Sequence, residues 1–267
     1  EAPILNVVEV LATMQDVHRV VVVSGEGADR HIVDIISQSD IVKLMHALFS
    51  NYVAHTIEVH AHAHTHGYVH ADVCQHQHDP AVAALLAELE LSVDESNIGS
   101  SPVISIPASQ SMYATLRLMS THKISGAAVV DSTGSFVGAT SGADLKLYLQ
   151  APSSQRLHIP VMDFIGEVKR TASLTGARTV FPAVGVEPSA SLLMVIAKLT
   201  ATGMHRVFVV EPVENRPLAV VSVEDIVKML HRGCPSRKMD RQLHRALSVN
   251  MMDPKSPTMT TSSSTSS

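Results

Sequence analysis

The sequence predicts an α/β protein built from three tandem β-α-β-β-α repeats within its 267 residues. Three stretches show the same succession of patterns: an amphipathic helix, a valine-rich strand, a turn, a second strand and a Ser-x-x-Asp tetrapeptide that opens another helix. The stretches are residues 5–49, 111–149 and 189–230. In all three, the aspartate of the tetrapeptide follows the first strand at a similar distance, which is hard to obtain by chance.

The elements of the first two stretches follow from local patterns. The valine run 20–23 predicts a strand. Apolar residues at helical spacing in the second stretch are Met112, Leu116 and Met119. Ser109 is predicted to cap that helix. Asp, Ser, Thr and Gly at 131–134 predict a hairpin turn between strands 127–131 and 135–140.

The third stretch shows the same elements. Its helical stripe consists of Leu192, Val195, Ile196 and Leu199. Ser189 is predicted as the N-cap, and Gly203 as the residue just past the helix end. The apolar run 207–210 is too short and too rich in β-formers for a helix, so it predicts a buried strand.

The chain divides where its composition changes. The predicted units are a first repeat incomplete at its N-terminus (1–50), a histidine-rich insertion or linker (51–98), a second repeat (99–151), a third repeat (152–232), and a basic segment with a Ser/Thr-rich tail (233–267). The tail has no apolar period and is expected to be disordered.

The histidine-rich segment contains half of the sixteen histidines of the chain within residues 51–80. Four of them alternate and would share one face of a strand: His60, His62, His64 and His66. Imidazole nitrogens suit zinc, copper or nickel. A solvated, histidine-biased loop is the favoured interpretation, so no metal site is predicted.

Composition excludes several classes of protein. The net charge of −5 leaves no basic field for nucleic acid, and the 3% of aromatic residues argues against base-stacking platforms. No apolar run is long enough to predict a membrane span. Neither Cys74 nor Cys234 has a neighbouring His and acid that would form a catalytic triad, and no glycine-rich phosphate loop occurs. The sequence therefore predicts a protein that is not an enzyme.

The Ser-x-x-Asp tetrapeptides have two chemical interpretations. An aspartate at the third position of a helix can accept a hydrogen bond from each of two neighbouring ribose hydroxyls. The same tetrapeptide is close to a capping box, which satisfies helix-end N–H groups without any ligand. A His-Arg pair begins the strand in the first and third stretches, where it is suited either to phosphate oxygens or to a surface ion pair.

The motifs HRVVVV, IISQSD, SGAAVVDSTGSFVGATSGAD, HRVFVV and AVVSVED resemble those of the cystathionine-β-synthase (CBS) domain. In that family two repeats pair into a Bateman module, and the clefts between them often bind adenosine nucleotides. An HR repeat, a Ser-Gly repeat and a second HR repeat follow one another here. This order resembles repeats two to four of the γ subunit of AMP-activated and SNF1-related kinases. The resemblance implies a further repeat before Glu1 or one supplied by a partner.

The resemblance also implies the site residues. The expected ribose-binding residues are Asp144, Asp225, Asp40, Ser141, Ser222, Ser37 and Thr140. The expected phosphate-binding residues are His205, Arg206, His18, Arg19 and Lys123. Adenine is expected on apolar backbone near 104–106 and 180–183. The ligand would be AMP, ADP or ATP, and no cofactor is expected.

The function implied is that of a regulatory subunit that senses energy state for a kinase catalytic subunit and a scaffold subunit, in the cytoplasm or nucleus. Two alternatives remain open. One is a CBS scaffold that binds partners and no physiological nucleotide. The other is the regulatory domain of a larger enzyme or channel.

Overall fold

The computed structural model of the chain describes residues 4–50, 80–150, 154–174 and 183–233. The predictions made for the histidine-rich segment 51–79, for both cysteines and for the tail concern residues outside these ranges. Within the described ranges, no helix combines the length and the apolar character needed to cross a bilayer.

The first repeat consists of helix α1 (Ile4–Thr13), strand β1 (Arg19–Ser24), a short 3-10 turn (Gly27–Asp29), strand β2 (His31–Ser37) and helix α2 (38–50). Strands β1 and β2 form an antiparallel hairpin. After the gap, α3 (Pro80–Glu90) and α4 (Val93–Ser96) lead into the second repeat.

The second repeat consists of β3 (Ser105–Pro107), α5 (Met112–Thr121), β4 (Gly126–Val130), β5 (Phe136–Ser141) and α6 (Gly142–Gln150). Strand β3 pairs parallel with β4, and β4 pairs antiparallel with β5. The predicted turn at 131–134 is confirmed, because Oδ1 of Asp131 accepts hydrogen bonds from the backbone of Thr133 and Ser135.

The third repeat follows a 3-10 turn (Ser154–Leu157) and helix α7 (Val161–Leu174). It consists of β6 (Gly185–Val186), α8 (Leu192–Thr202), β7 (Arg206–Val210), β8 (Pro217–Ser222) and α9 (Val223–Gly233). Its sheet has the same order and directions as that of the second repeat.

The three hairpins share one hydrogen-bonded register. The first residue of the first strand faces the last residue of the second in the pairs Arg19–Ser37, Gly126–Ser141 and Arg206–Ser222. Each hairpin also has an irregularity just before the last valine of its first strand. The prediction of tandem repeats is therefore confirmed at the level of individual residue pairs.

Two predicted helix caps are wrong by two residues. Ser111 rather than Ser109 caps α5, and Ser191 rather than Ser189 caps α8. In each case the hydroxyl of the capping serine accepts the N–H of the third helical residue, and the earlier serine lies in the preceding turn. The prediction for Gly203 is confirmed, because it ends α8 in the left-handed conformation with φ 66°.

The second and third repeats exchange the segments that precede them. Helix α7 precedes the third repeat, yet its residues Phe164 and Ile165 are buried in the core of the second. Val93 and Ile98 precede the second repeat and are buried with the third. The predicted unit 152–232 is therefore split in space, because the apolar face of α7 finds its partners on α5 and α6.

The first repeat packs through its helices and leaves its hairpin exposed. Helix α1 contacts α9 in a core that the first and third repeats share. By register, Val21 is equivalent to Ala128 and Phe208. Val21 is 49% exposed, whereas Ala128 and Phe208 are buried at 0% and 2% exposure. The difference arises because the second and third hairpins cover each other, with the rings of Phe136 and Phe208 5.0 Å apart.

Candidate functional site

Two of the three aspartates cap their helices in the same way. In the first repeat, the backbone N–H and the hydroxyl of Ser37 donate to Oδ2 of Asp40 at 3.0 and 2.7 Å. In the third repeat, Ser222 donates in the same manner to Oδ2 of Asp225 at 2.8 and 2.6 Å. Within the described residues, these bonds leave Oδ1 of Asp225 without a hydrogen-bond donor, whereas Lys43 occupies Oδ1 of Asp40. The capping interpretation of the tetrapeptide is therefore realised in the structure.

The second repeat holds its aspartate differently. The hydroxyl of Thr140 and the backbone N–H of Ser141 donate to Oδ2 of Asp144 at 3.0 and 2.7 Å. Asp144 is only 8% exposed and Thr140 1%. Asp144 is thus the most enclosed of the three tetrapeptide carboxylates.

A cation from the third repeat lies beside this enclosed carboxylate. Nη2 of Arg206 donates to Oγ of Ser125 at 2.7 Å across the boundary between the two repeats. Burial lowers the pKa of the Arg206 guanidinium, and the nearby Asp144 carboxylate partly opposes that change. The structure therefore brings together Asp144, Thr140, Ser141 and Arg206 of the predicted set.

Two of the remaining predicted phosphate-binding residues, His18 and Arg19, lie on the first repeat. His18 and Arg19 lie exposed at the start of β1, on the hairpin that no other described repeat covers. His205 and Lys123 are exposed, and Lys123 takes a positive φ of 54° just after α5. The predicted set is thus distributed over the repeats, and Arg206 lies within electrostatic range of Asp144 in another repeat.

The predicted adenine-facing strands are only partly accessible. Ile106 is fully buried in the core of the second repeat, so its side chain offers no surface to a ligand. Residues 180–182 lie outside the described ranges. Ala183 lines an open groove of about 460 Å³ together with Phe136, Val186 and Val210. This groove lies at the end of β7 opposite to Arg206, and no predicted sugar- or phosphate-binding residue lines it.

A second candidate site is Asp225 and the chain segment packed against the strand that precedes it. The segment that precedes β3 runs along β8, where Ser100 and Val220 exchange backbone hydrogen bonds at 2.9 and 3.0 Å. A Cβ on Gly99 would meet the carbonyl oxygen of Val220, and Gly99 adopts a φ of 94°, so only glycine fits this approach. Residues 99–100 are thus placed against the strand that ends at Ser222.

Ser125 and Gly126 were missed by the sequence reasoning, although a signal was present. They occupy the positions at which the other two repeats carry a His-Arg pair. A Cβ on Gly126 would overlap Nη1 of Arg206. The exchange of His-Arg for Ser-Gly is therefore the local change that makes room for the arginine of the neighbouring repeat.

The described residues contain no group of three or more His, Cys, Asp or Glu side chains suited to hold a metal ion. The histidines of 51–79 are outside the ranges to which this finding applies.

A family profile for the CBS domain matches residues 3–47, 96–151 and 179–232, which together make up more than half of the chain. The chain belongs to the CBS-domain family. The α/β fold of tandem CBS repeats predicted from the sequence is confirmed, and the three matched ranges contain the three hairpins.

Named relatives and a solved structure agree with this family. Protein SDS23 of Saccharomyces cerevisiae is 32% identical over 145 residues, which is 52% of this chain and 28% of that protein. Protein sds23 of Aspergillus niger is 30% identical over 196 residues, which is 73% of this chain and 32% of the relative. The chain thus spans less than a third of the length of these relatives.

The solved structure of protein MJ1225 from Methanocaldococcus jannaschii, a proposed archaeal homologue of g-AMPK, superposes with a TM-score of 0.54 at 12% identity. The superposition covers 86% of this chain and 64% of that one. At this identity the likeness concerns the fold alone.

Proposed function

We propose that this CBS-domain protein is a regulatory module that binds adenine nucleotides (AMP, ADP or ATP) between its second and third repeats. The observation that carries the proposal is that Arg206 of the third repeat bonds Ser125 of the second repeat and so lies within electrostatic range of Asp144. A carboxylate suits the sugar hydroxyls of a nucleotide, and a guanidinium suits its phosphate. A nucleotide carries both sugar hydroxyls and a phosphate. A carboxylate and a guanidinium close to each other therefore match the two polar parts of one nucleotide.

The energetics of these contacts are sufficient for regulatory affinity. A hydrogen bond to a charged group contributes about 1.5–3 kcal/mol. Three such bonds together contribute about 4.5–9 kcal/mol, which is comparable to the roughly 8 kcal/mol of a micromolar complex. Asp225 supports a second, weaker site, because its Oδ1 faces no hydrogen-bond donor among the described residues.

A sensor needs more than binding. Nucleotides shift an equilibrium only when they bind its two conformations with different affinity. A ligand that draws Arg206 from Ser125 towards a phosphate would change the contact between the two repeats. This supports a regulatory role, in which AMP and ATP differ in the number of anionic groups that compete for Arg206.

The partner we propose is a protein kinase, reached through its catalytic subunit and a scaffold subunit in the cytoplasm or nucleus. The order of the HR, Ser-Gly and HR repeats supports this finer assignment, as does the fold shared with MJ1225. No resident cofactor and no catalytic step are part of the proposal.

The competing function is a CBS scaffold that binds partner proteins and no nucleotide. One observation favours it: the tetrapeptide carboxylates already cap their own helices without a ligand. Helix capping alone would then explain why the three carboxylates have similar positions.

Isothermal titration calorimetry of the full chain with AMP, ADP and ATP distinguishes these functions. The nucleotide-binding module should give saturable heats with a dissociation constant in the micromolar range. Absence of heat at millimolar nucleotide would remove the nucleotide proposal and leave the scaffold. Purification of the complex from its native cells, followed by native mass spectrometry, tests the partner separately. A kinase catalytic chain is expected, and a complex without one would contradict that assignment.

A further inference from the structure

We propose that Gly126 is a positioning residue for Arg206: its lack of a side chain admits the guanidinium of the third repeat into the second and so gives the Asp144 cleft its preference for phosphorylated ligands. The inference rests on the proposed nucleotide-binding function. It concerns a residue with no ligand contact of its own, and it predicts which of the two clefts discriminates by phosphate.

The glycine is needed here for space and not for backbone conformation. Gly126 is the first residue of β4 and does not adopt a positive φ, so an alanine could take its backbone angles. A Cβ at this position would instead overlap Nη1 of Arg206 and lie 2.6 Å from Cζ. It would also lie 2.9 Å from the carbonyl oxygen of Thr140. To make room for this Cβ, the guanidinium of Arg206 would have to move and break its hydrogen bond to Ser125.

The register of the hairpins shows why only one arginine fits between the second and third repeats. Gly126 and Arg206 occupy equivalent positions at the starts of β4 and β7. An arginine at both positions would place two cations in the same space. With glycine at one position, Arg206 reaches Ser125 and the vicinity of Asp144. No arginine stands at 126 to serve Asp225 in the reciprocal way, so the two clefts differ in charge.

This asymmetry has a measurable consequence. The Asp144 cleft should bind AMP more tightly than adenosine, because the phosphate gains a charge-assisted bond to Arg206. Such a bond corresponds to about 10-fold in affinity or more. Enlarging Gly126 should remove the phosphate-dependent part of the affinity and leave the sugar-dependent part.

The test compares Gly126→Ala with Gly166→Ala, a glycine in α7 whose added Cβ would meet nothing within 4 Å. Both are made in an Asp225→Ala background, so that the Asp144 cleft dominates, and AMP and adenosine are titrated separately. Gly126→Ala should lower the ratio of AMP affinity to adenosine affinity by about 10-fold, towards one. Gly166→Ala should keep the ratio of its parent. An unchanged ratio in Gly126→Ala would overturn the inference.

A double-mutant comparison separates positioning from general damage. Arg206→Ala should lower the ratio as far as Gly126→Ala does, and combining the two should lower it no further, since both act through one guanidinium. Additive losses would mean that Gly126 acts by another route and would overturn the inference.

A ligand-free measurement keeps this inference distinct from the proposed function. Phenylglyoxal modifies accessible arginines, and mass spectrometry reports the rate at Arg206. Gly126→Ala should raise that rate several-fold, because the expelled guanidinium is exposed to solvent, whereas Gly166→Ala should not. If the parent protein binds neither AMP nor adenosine, the proposed function fails. Equal modification rates in the parent and in Gly126→Ala would show that Gly126 does not position Arg206, whether or not nucleotides bind.

Discussion

Asp225 combines a helix-capping role with a carboxylate oxygen that is available to a ligand, and a matched control can separate the two. In Asp225 the capping bonds fall on Oδ2, and Oδ1 remains available to a sugar. Asp225→Ala should lower the free energy of unfolding by about 1 kcal/mol through the lost cap. It should also weaken AMP binding by about 1–3 kcal/mol through the lost sugar contact. Urea denaturation and calorimetry measure the two effects.

The matched control for this prediction is Glu95→Ala. Ser92 and Glu95 form a capping box with the same reciprocal bonds at the start of α4. The control should cost stability and leave AMP affinity unchanged. An Asp225→Ala variant that loses stability but binds AMP like the wild type would show that Asp225 only caps its helix.

The lowered pKa values of three carboxylates determine how the stability of the fold should depend on pH. Hydrogen bonds from Ser92 hold the pKa of Glu95 below its ordinary value of 4.5. Partial burial is the largest single effect on Asp40 and raises its pKa, but the combined bonds from Ser37 and Lys43 lower it below 3.8. Bonds from Thr133 likewise lower the pKa of Asp131. Their contribution is therefore present above the unfolded pKa and lost as pH falls through the folded pKa.

The free energy of unfolding should accordingly hold steady down to about pH 4.5 and decline below it, as measured by urea denaturation across pH 3–7. Glu95→Gln should show a shallower decline than the wild type, because one of the titrating groups is removed. A decline centred near pH 6 instead would point to histidines rather than to these carboxylates.

The exchanged segments make the second repeat depend on residues that follow it in the chain. Phe164 of α7 is 2% exposed in the core of the second repeat. Phe164→Ala should therefore cost about 3–5 kcal/mol. Hydrogen exchange should show lost protection in β4 and β5 ahead of β7 and β8. Met194→Ala on the exposed face of α8 is the control and should change little. Earlier loss in β7 would contradict the exchange.

Local elements could be predicted from the sequence because their signals are local. The turn at Asp131, the helix end at Gly203 and the strand at 207–210 follow from neighbouring residues, and all are found within one residue. The caps at Ser109 and Ser189 were misplaced because a second serine follows each by two residues, and only backbone geometry selects between them.

Contacts between residues far apart in the sequence could not be predicted from these local signals. Apolar periodicity shows that α7 has a face to bury, but it does not say which repeat receives it. The same holds for Arg206, which was predicted to bind phosphate and is found beside the aspartate of the other repeat. Gly126 could not be predicted from the sequence, because it matters only through the space that it leaves for the side chain of Arg206.

At the scale of the whole molecule, the described repeats differ in how their hairpins are covered. The second and third hairpins cover each other, and Arg206 crosses between them. The hairpin of the first repeat exposes several apolar side chains, with Ile32 at 66% and Val33 at 54%. Under the proposed function, a ligand between the second and third repeats would change the contact that Arg206 makes between them.

A crystal structure of the full chain grown with AMP would decide whether the nucleotide binds between the second and third repeats. We expect AMP there, with ribose hydroxyls within hydrogen-bond distance of Asp144 or Asp225. At Asp144 its phosphate should lie within reach of Arg206. AMP bound in the groove beside Phe136, or no AMP at either aspartate at saturating concentration, would show that the repeats do not bind the nucleotide as proposed.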